Sequence, residues 1–99
     1  MKTVVVALFD KKAKAFKTPF YVQTIEMATR ALTGAVNAQE VHDLTQYTED
    51  FALYHLATYD DESGNFECPA QPIFIAEAAQ FKRGVKAINL AAETITTKE

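Results

Sequence analysis

Apolar and polar positions alternate along the chain in blocks that predict both its elements and their order. From Thr3 to Phe9 the residues are β-branched or apolar, the pattern of a strand. Val5, Ala7 and Phe9 fall on one face and Val4, Val6 and Leu8 on the other, so this strand is central and needs cover on both sides. Asp10-Lys11-Lys12-Ala13-Lys14 is a polar turn. Ala15 to Gln23 returns as a strand, and Pro19, which has no amide hydrogen to donate, makes it an edge strand or a bulged one. Thr24 is a predicted N-cap, with Glu26 placed favourably in the first turn. Ile25, Ala28, Leu32 and Val36 then recur at helical spacing, Gly34 weakens the last turn, and Asn37 is a candidate left-handed residue at the end.

Ala38 to Asp50 is polar and acidic and reads as a loop. Phe51 to Tyr59 is a second strand, with Phe51, Leu53, His55, Ala57 and Tyr59 alternating against Ala52, Tyr54, Leu56 and Thr58. Asp60 to Asn65 is a turn in which Gly64 supplies a positive φ. Phe66 to Cys68 is a short partner strand closed by Pro69 and Pro72. From Ile73 onward, Phe74, Ala78, Phe81, Val85, Ile88 and Ala92 repeat at spacings of three and four, predicting a C-terminal amphipathic helix in which Gly84 costs about 1 kcal/mol relative to Ala. The order is β-β-α-β-β-α. The expected class is α+β: an antiparallel sheet of three to four strands, a helix packed on it, and the C-terminal helix. Residues 1–93 form the expected single domain and 94–99 a frayed tail. The second sheet face requires a cover, from the C-terminal helix or from a second copy of the chain.

Composition agrees with one small globular domain: 99 residues, 48% apolar and 23% charged. The longest apolar run, Val4 to Phe9, is far shorter than the roughly 20 residues of a membrane span, and the lysines after it do not suit a signal peptide. A lone cysteine, Cys68, excludes an internal disulfide and a cysteine-based zinc site. The net charge of −3 conceals segregation. Residues 1–30 carry Lys2, Lys11, Lys12, Lys14, Lys17 and Arg30 against Asp10 and Glu26. Residues 31–81 carry nine acids and no Lys or Arg, and residues 82–99 are basic again through Lys82, Arg83, Lys86 and Lys98.

No residue set suggests catalysis, a cofactor or a metal. Ser63, the only serine, sits in a turn; His42 and His55 lack the partners of a metal site; the three glycines are too scattered to cradle a phosphate. His55, inside a strand, is expected to be partly buried and hydrogen-bonded. The aromatics are more informative. Phe9, Phe16, Phe20 and Tyr21 interleave with Lys11, Lys12, Lys14 and Lys17, a pairing that serves single-stranded nucleic acid, where bases stack on rings and lysines follow phosphates. The same phenylalanines also suit a core, so both assignments stay open.

Phe9-Asp10-Lys11-Lys12-Ala13, Phe16, Pro19-Phe20, Ala28 to Leu32, Val36-Asn37, Glu49 to Tyr54, Tyr59-Asp60-Asp61, Gly64 and Phe66 occur in an order that resembles the small non-structural proteins of gokushovirus-type Microviridae, phages with single-stranded DNA genomes. The likeness spans roughly residues 3–67. Ala57 departs from it, standing where a glycine is expected, and so does the loop Ala38–Thr48, which lacks a His/Pro-rich character. The residues thus lead us to expect no enzyme, and the resemblance implies a non-structural protein of the infected host's cytoplasm, linked to DNA binding or viral DNA synthesis. It makes Lys11, Lys12, Lys14, Lys17 and Arg30 the expected phosphate contacts and Phe16 and Tyr21 the stacking rings, with Lys82, Arg83 and Lys86 extending the track. The alternative is a non-catalytic homodimeric module that binds a host or phage protein, such as a replication protein, through its surplus apolar surface.

Overall fold

The central strand β1 (Lys2–Asp10) pairs antiparallel along its whole length with β4 (Phe51–Asp60). On the far side of β1 lie two short segments, β2 (Ala15–Phe16) and β3 (Phe20–Val22); on the far side of β4 lie β5 (Asn65–Glu67) and β6 (Ile73–Glu77). The computed structural model describes residues 1–83, so the part of the expected C-terminal helix from Gly84 onward, Lys86, and the tail 94–99 lie outside the described residues. Among the described residues the result is an α+β fold with one antiparallel sheet of six segments, four strands wide. The return strand is split where Pro19 was expected to interrupt it: Phe9 pairs with Phe16, but Val6 pairs with Phe20, one residue out of step.

One helix, α1 (Ile25–Val36), covers one face of the sheet. Thr24 caps it by accepting from the Met27 amide at 3.1 Å. Ala28, Leu32 and Val36 are buried against Val6, Phe51 and Leu53, with Ile25 packed at the margin. The segment read as a loop is partly helical. One α-turn, α2 (Asp43–Gln46), and a 3-10 turn (Thr48–Asp50) bring Leu44 into the core. Thr45 organises α2 by accepting from the His42 amide, and the buried Thr48 hydroxyl donates to the Leu44 carbonyl at 2.7 Å.

Three sequence expectations are corrected. Ile73–Glu77 is a strand, β6, and Ala78–Phe81 is a 3-10 turn, so the segment from Ile73 does not begin a helix. A free edge of β4 and the β-branched Ile73 and Ile75 favour the ladder over the weak helical start after Pro72. Asn37 is not left-handed; it ends α1 at φ −104° and works through its side chain. The alternation of β4 also breaks, because Leu56 is an extra residue between the β1 partners Val5 and Val6. Beyond this bulge the parity flips, and Ala57 and Tyr59 join Ala52 and Tyr54 instead of Leu53 and His55. His55 is half-buried at the bulge; its Nε2 lies 2.9 Å from the Ala57 carbonyl, to which it donates.

Candidate nucleic-acid interface

The flipped parity loads the sheet face opposite α1 with rings. Along β1 this outer face carries Thr3, Val5, Ala7 and Phe9, and the register sets Tyr59, Ala57, Tyr54 and Ala52 across from them. Phe16, Tyr21, Phe66 and Phe74 join from β2, β3, β5 and β6. Seven of the chain's eleven aromatic residues therefore share one face.

They form two groups. Phe9, Phe16, Tyr54 and Phe74 pack ring to ring, with centroids 4.8 Å apart for Phe9–Phe16, 5.5 Å for Phe16–Tyr54 and 5.7 Å for Tyr54–Phe74. Tyr59 sits between Tyr21 at 6.2 Å and Phe66 at 4.9 Å. These tilted and edge-on contacts suit the aromatic quadrupole. The groups are centred opposite Ala7 and Thr3, four residues apart on β1, or about 13 Å along the strand. Beneath them the small residues Val5, Ala7, Ala52 and Ala57 are buried, so the rings roof a thin second apolar layer.

The roof is open on top. Phe16 is 42% exposed, Tyr21 55%, Phe66 52% and Phe74 51%. No described helix covers this face. A shallow cleft of about 220 Å³ runs between Phe9, Phe16 and Tyr54 on one side and Gln71 and Pro72 on the other.

The cations are less gathered than the rings. Lys11, Lys12 and Lys14 share the β1–β2 turn at one end of the sheet, all exposed. Lys11 Nζ is engaged by Glu77 Oε1 at 2.6 Å. Lys12 borders a cleft that also holds Asp43 and Asp50. Lys17 turns to the helix side, its Nζ 5.7 Å from the Phe51 ring centroid, and so leaves the outer face. Arg30 is exposed on α1, in the opposite layer. Lys82 is half-buried and donates to the Val36 and Thr45 carbonyls at 2.8 and 3.3 Å, closing the C-terminus of α1. Arg83 is exposed, and its backbone amide donates to Asn37 Oδ1. The expected continuous basic track thus resolves into one lysine turn beside an aromatic floor, with Lys17, Arg30 and Lys82 placed elsewhere.

The two hairpin turns share one construction with opposite charge. In the first, Asp10 Oδ1 accepts from the Lys12 and Ala13 amides, the Lys14 amide bonds back to the Asp10 carbonyl, and Lys14 takes φ +58°. In the second, Asp60 Oδ1 accepts from the Glu62 amide, the Gly64 amide bonds back to the Asp60 carbonyl, and Gly64 takes φ +76°. The Glu62 amide bond holds the Asp60 carboxyl below its usual range. Asp60, Asp61 and Glu62 thus gather at the opposite end of the sheet, where the Met1 ammonium meets Asp61 Oδ1 at 2.7 Å and Lys2 meets Glu67 at 3.1 Å.

Of these rings, Phe16 and Tyr21, the stacking candidates of the sequence, are exposed, while Tyr54, Tyr59, Phe66 and Phe74 were not among those candidates. Strict alternation would have separated Tyr54 from Tyr59, and a helix from Ile73 would have removed Phe74 from the sheet. Among the described residues no cluster of three or more His, Cys, Asp or Glu side chains is assembled, and no helix is long and apolar enough to cross a membrane.

Fold and site define an α+β protein whose sheet face opposite α1 is, among the described residues, an open floor of aromatic rings. The chain belongs to the phage ORF5 protein family, whose model matches residues 3–81. Neither a curated protein nor a solved structure was found to match it.

Proposed function

We propose that this phage protein is a weak, sequence-independent binder of single-stranded DNA, acting as a non-structural protein in the cytoplasm of the infected bacterium in support of viral DNA replication or packaging. The gokushovirus-type resemblance of residues 3–67 supports that setting. The observation that carries the reading is the exposed ring floor beside the lysine turn. Rings on an open sheet give bases a stacking surface indifferent to sequence, worth about 1–3 kcal/mol per base. Two ring groups about 13 Å apart suit an extended strand crossing the face. Phosphates would be met at one end by Lys12 and Lys14, with Lys11 held by Glu77 beside them, and so few free cations imply modest affinity with a shallow salt dependence.

Fluorescence anisotropy with a labelled oligothymidylate tests this. Binding is expected at low salt, with log K falling against log salt by about 0.7 per phosphate neutralised. Changing Lys11, Lys12 and Lys14 together to Glu abolishes it. The double change Phe16→Ala and Tyr21→Ala weakens it at unchanged salt slope, since stacking releases no counterions. No binding at tens of micromolar protein (approximately, at low salt) would overturn the proposal.

A second reading, self-association through the same face, is favoured by the opposite charges of the two turns.

A further inference from the structure

We infer that the aromatic face is also the contact surface for a second copy of this chain, packed face to face with its strands antiparallel. Three observations lead there. The face is apolar, and no described residue covers its rings, four of which are about half exposed. The tips of its two turns are oppositely charged: Lys12 and Lys14 project from one with no ion-pair partner among the described residues, and Asp61 and Glu62 project from the other, 53% and 86% exposed although they share the Met1 ammonium at 2.7 and 3.8 Å. The two turns also share one backbone construction, so each presents its charges in a similar frame.

A two-fold axis between the faces, perpendicular to the line joining the turns, lays each copy's lysine turn on the partner's Asp61 and Glu62. It does so twice, as a self-complementary interface requires. The strands then cross at a small angle, as in aligned sheet packing. Parallel stacking would set lysine on lysine and carboxylate on carboxylate, so charge selects the antiparallel arrangement. The available surface limits the strength. Nine paired residues rise about 30 Å and four strands span about 15–20 Å, a footprint of about 450–600 Å², below the roughly 800 Å² per partner of a standard stable interface. The dimer is therefore a reversible one. Because it occupies the same rings, a base-stacking ligand would displace it.

Charge-swap sedimentation, run without nucleic acid, tests the arrangement. The wild-type chain is expected to dimerise reversibly. Reversing one turn (Lys12→Glu with Lys14→Glu) or the other (Asp61→Lys with Glu62→Lys) weakens the dimer about tenfold or more, and combining all four restores it. All four positions are exposed, and a thermal melt of each variant confirms that the fold persists. As an independent arm, Phe16→Ser with Phe74→Ser gives a monomer. A wild-type chain that stays monomeric up to about 1 mM overturns the inference, as does a dimer indifferent to both reversals. Either failure leaves the oligonucleotide titration to be judged on its own, because that readout uses labelled DNA and this one contains none.

Discussion

At the scale of single residues, the two hairpin turns make a controlled comparison. Each needs a left-handed residue at its fourth loop position; one turn uses Gly64 and the other Lys14. An L side chain in that region costs about 1–2 kcal/mol, while glycine loses about 0.4–1 kcal/mol more entropy on folding. Lys14→Gly is therefore expected to raise stability by about 0.5–1 kcal/mol, and Gly64→Ala to lower it by a similar amount. Nothing lies within 4 Å of a Cβ built on Gly64, so the second change tests conformation alone, without a clash. Urea denaturation of both variants gives the pair of signs. The retention of a strained lysine where glycine would fit better is consistent with that ammonium serving something other than the fold.

At the scale of elements, the described chain after β6 is tied to the end of α1 by the Lys82 ammonium on the Val36 carbonyl and by the side-chain amide of Asn37. Asn37 Nδ2 donates to the Thr33 carbonyl and to the Phe81 carbonyl, both at 2.8 Å, while Oδ1 accepts from the Arg83 amide at 2.8 Å. Asn37→Ala breaks all three bonds and is expected to cost about 2 kcal/mol, since each contributes about 0.5–1.5 kcal/mol and the site is only half-buried. Hydrogen exchange should show the Arg83 amide losing its protection first. Elements built from local rules were legible in the sequence: β1 from its apolar run, α1 from its cap and stripe, the break at Pro19, and the positive φ at Gly64. What escaped depends on partners distant in the chain. The Leu56 bulge exists only in the pairing of β4 with β1, and β6 is a strand because β4 offers it an edge. Asn37, read as a backbone terminator, is a side-chain bridge to residues more than forty positions away. The candidate site shared this fate. Phe16 and Tyr21 were legible because they neighbour the lysines in sequence, while Tyr54, Tyr59, Phe66 and Phe74 reach them only through non-local register.

For the whole molecule, the question is how a chain of net charge −3 could hold a polyanion. Charges farther away than a Debye length of about 8–10 Å are largely screened at physiological salt, so the acidic turn at the far end matters little to a phosphate beside Lys12. The carboxylates that matter are close: Asp43 and Asp50 line the cleft beside Lys12, and Glu77, on the rim of the aromatic face, holds Lys11 at 2.6 Å. Both partners are 43% exposed, and an ion pair this exposed contributes about 0.2–1 kcal/mol to stability. Its effect on a ligand is larger, because a lysine already neutralised releases no counterion when a phosphate arrives. Glu77→Gln therefore separates the two roles. Urea denaturation should register a loss within that range, no more than about 1 kcal/mol. The oligothymidylate titration should register tighter binding at low salt and a log–log slope steeper by about 0.7, the signature of one additional phosphate contact. An unchanged slope with intact fold would mean that Lys11 lies off the path of the DNA, and the phosphate contacts would then have to rest on Lys12 and Lys14 alone.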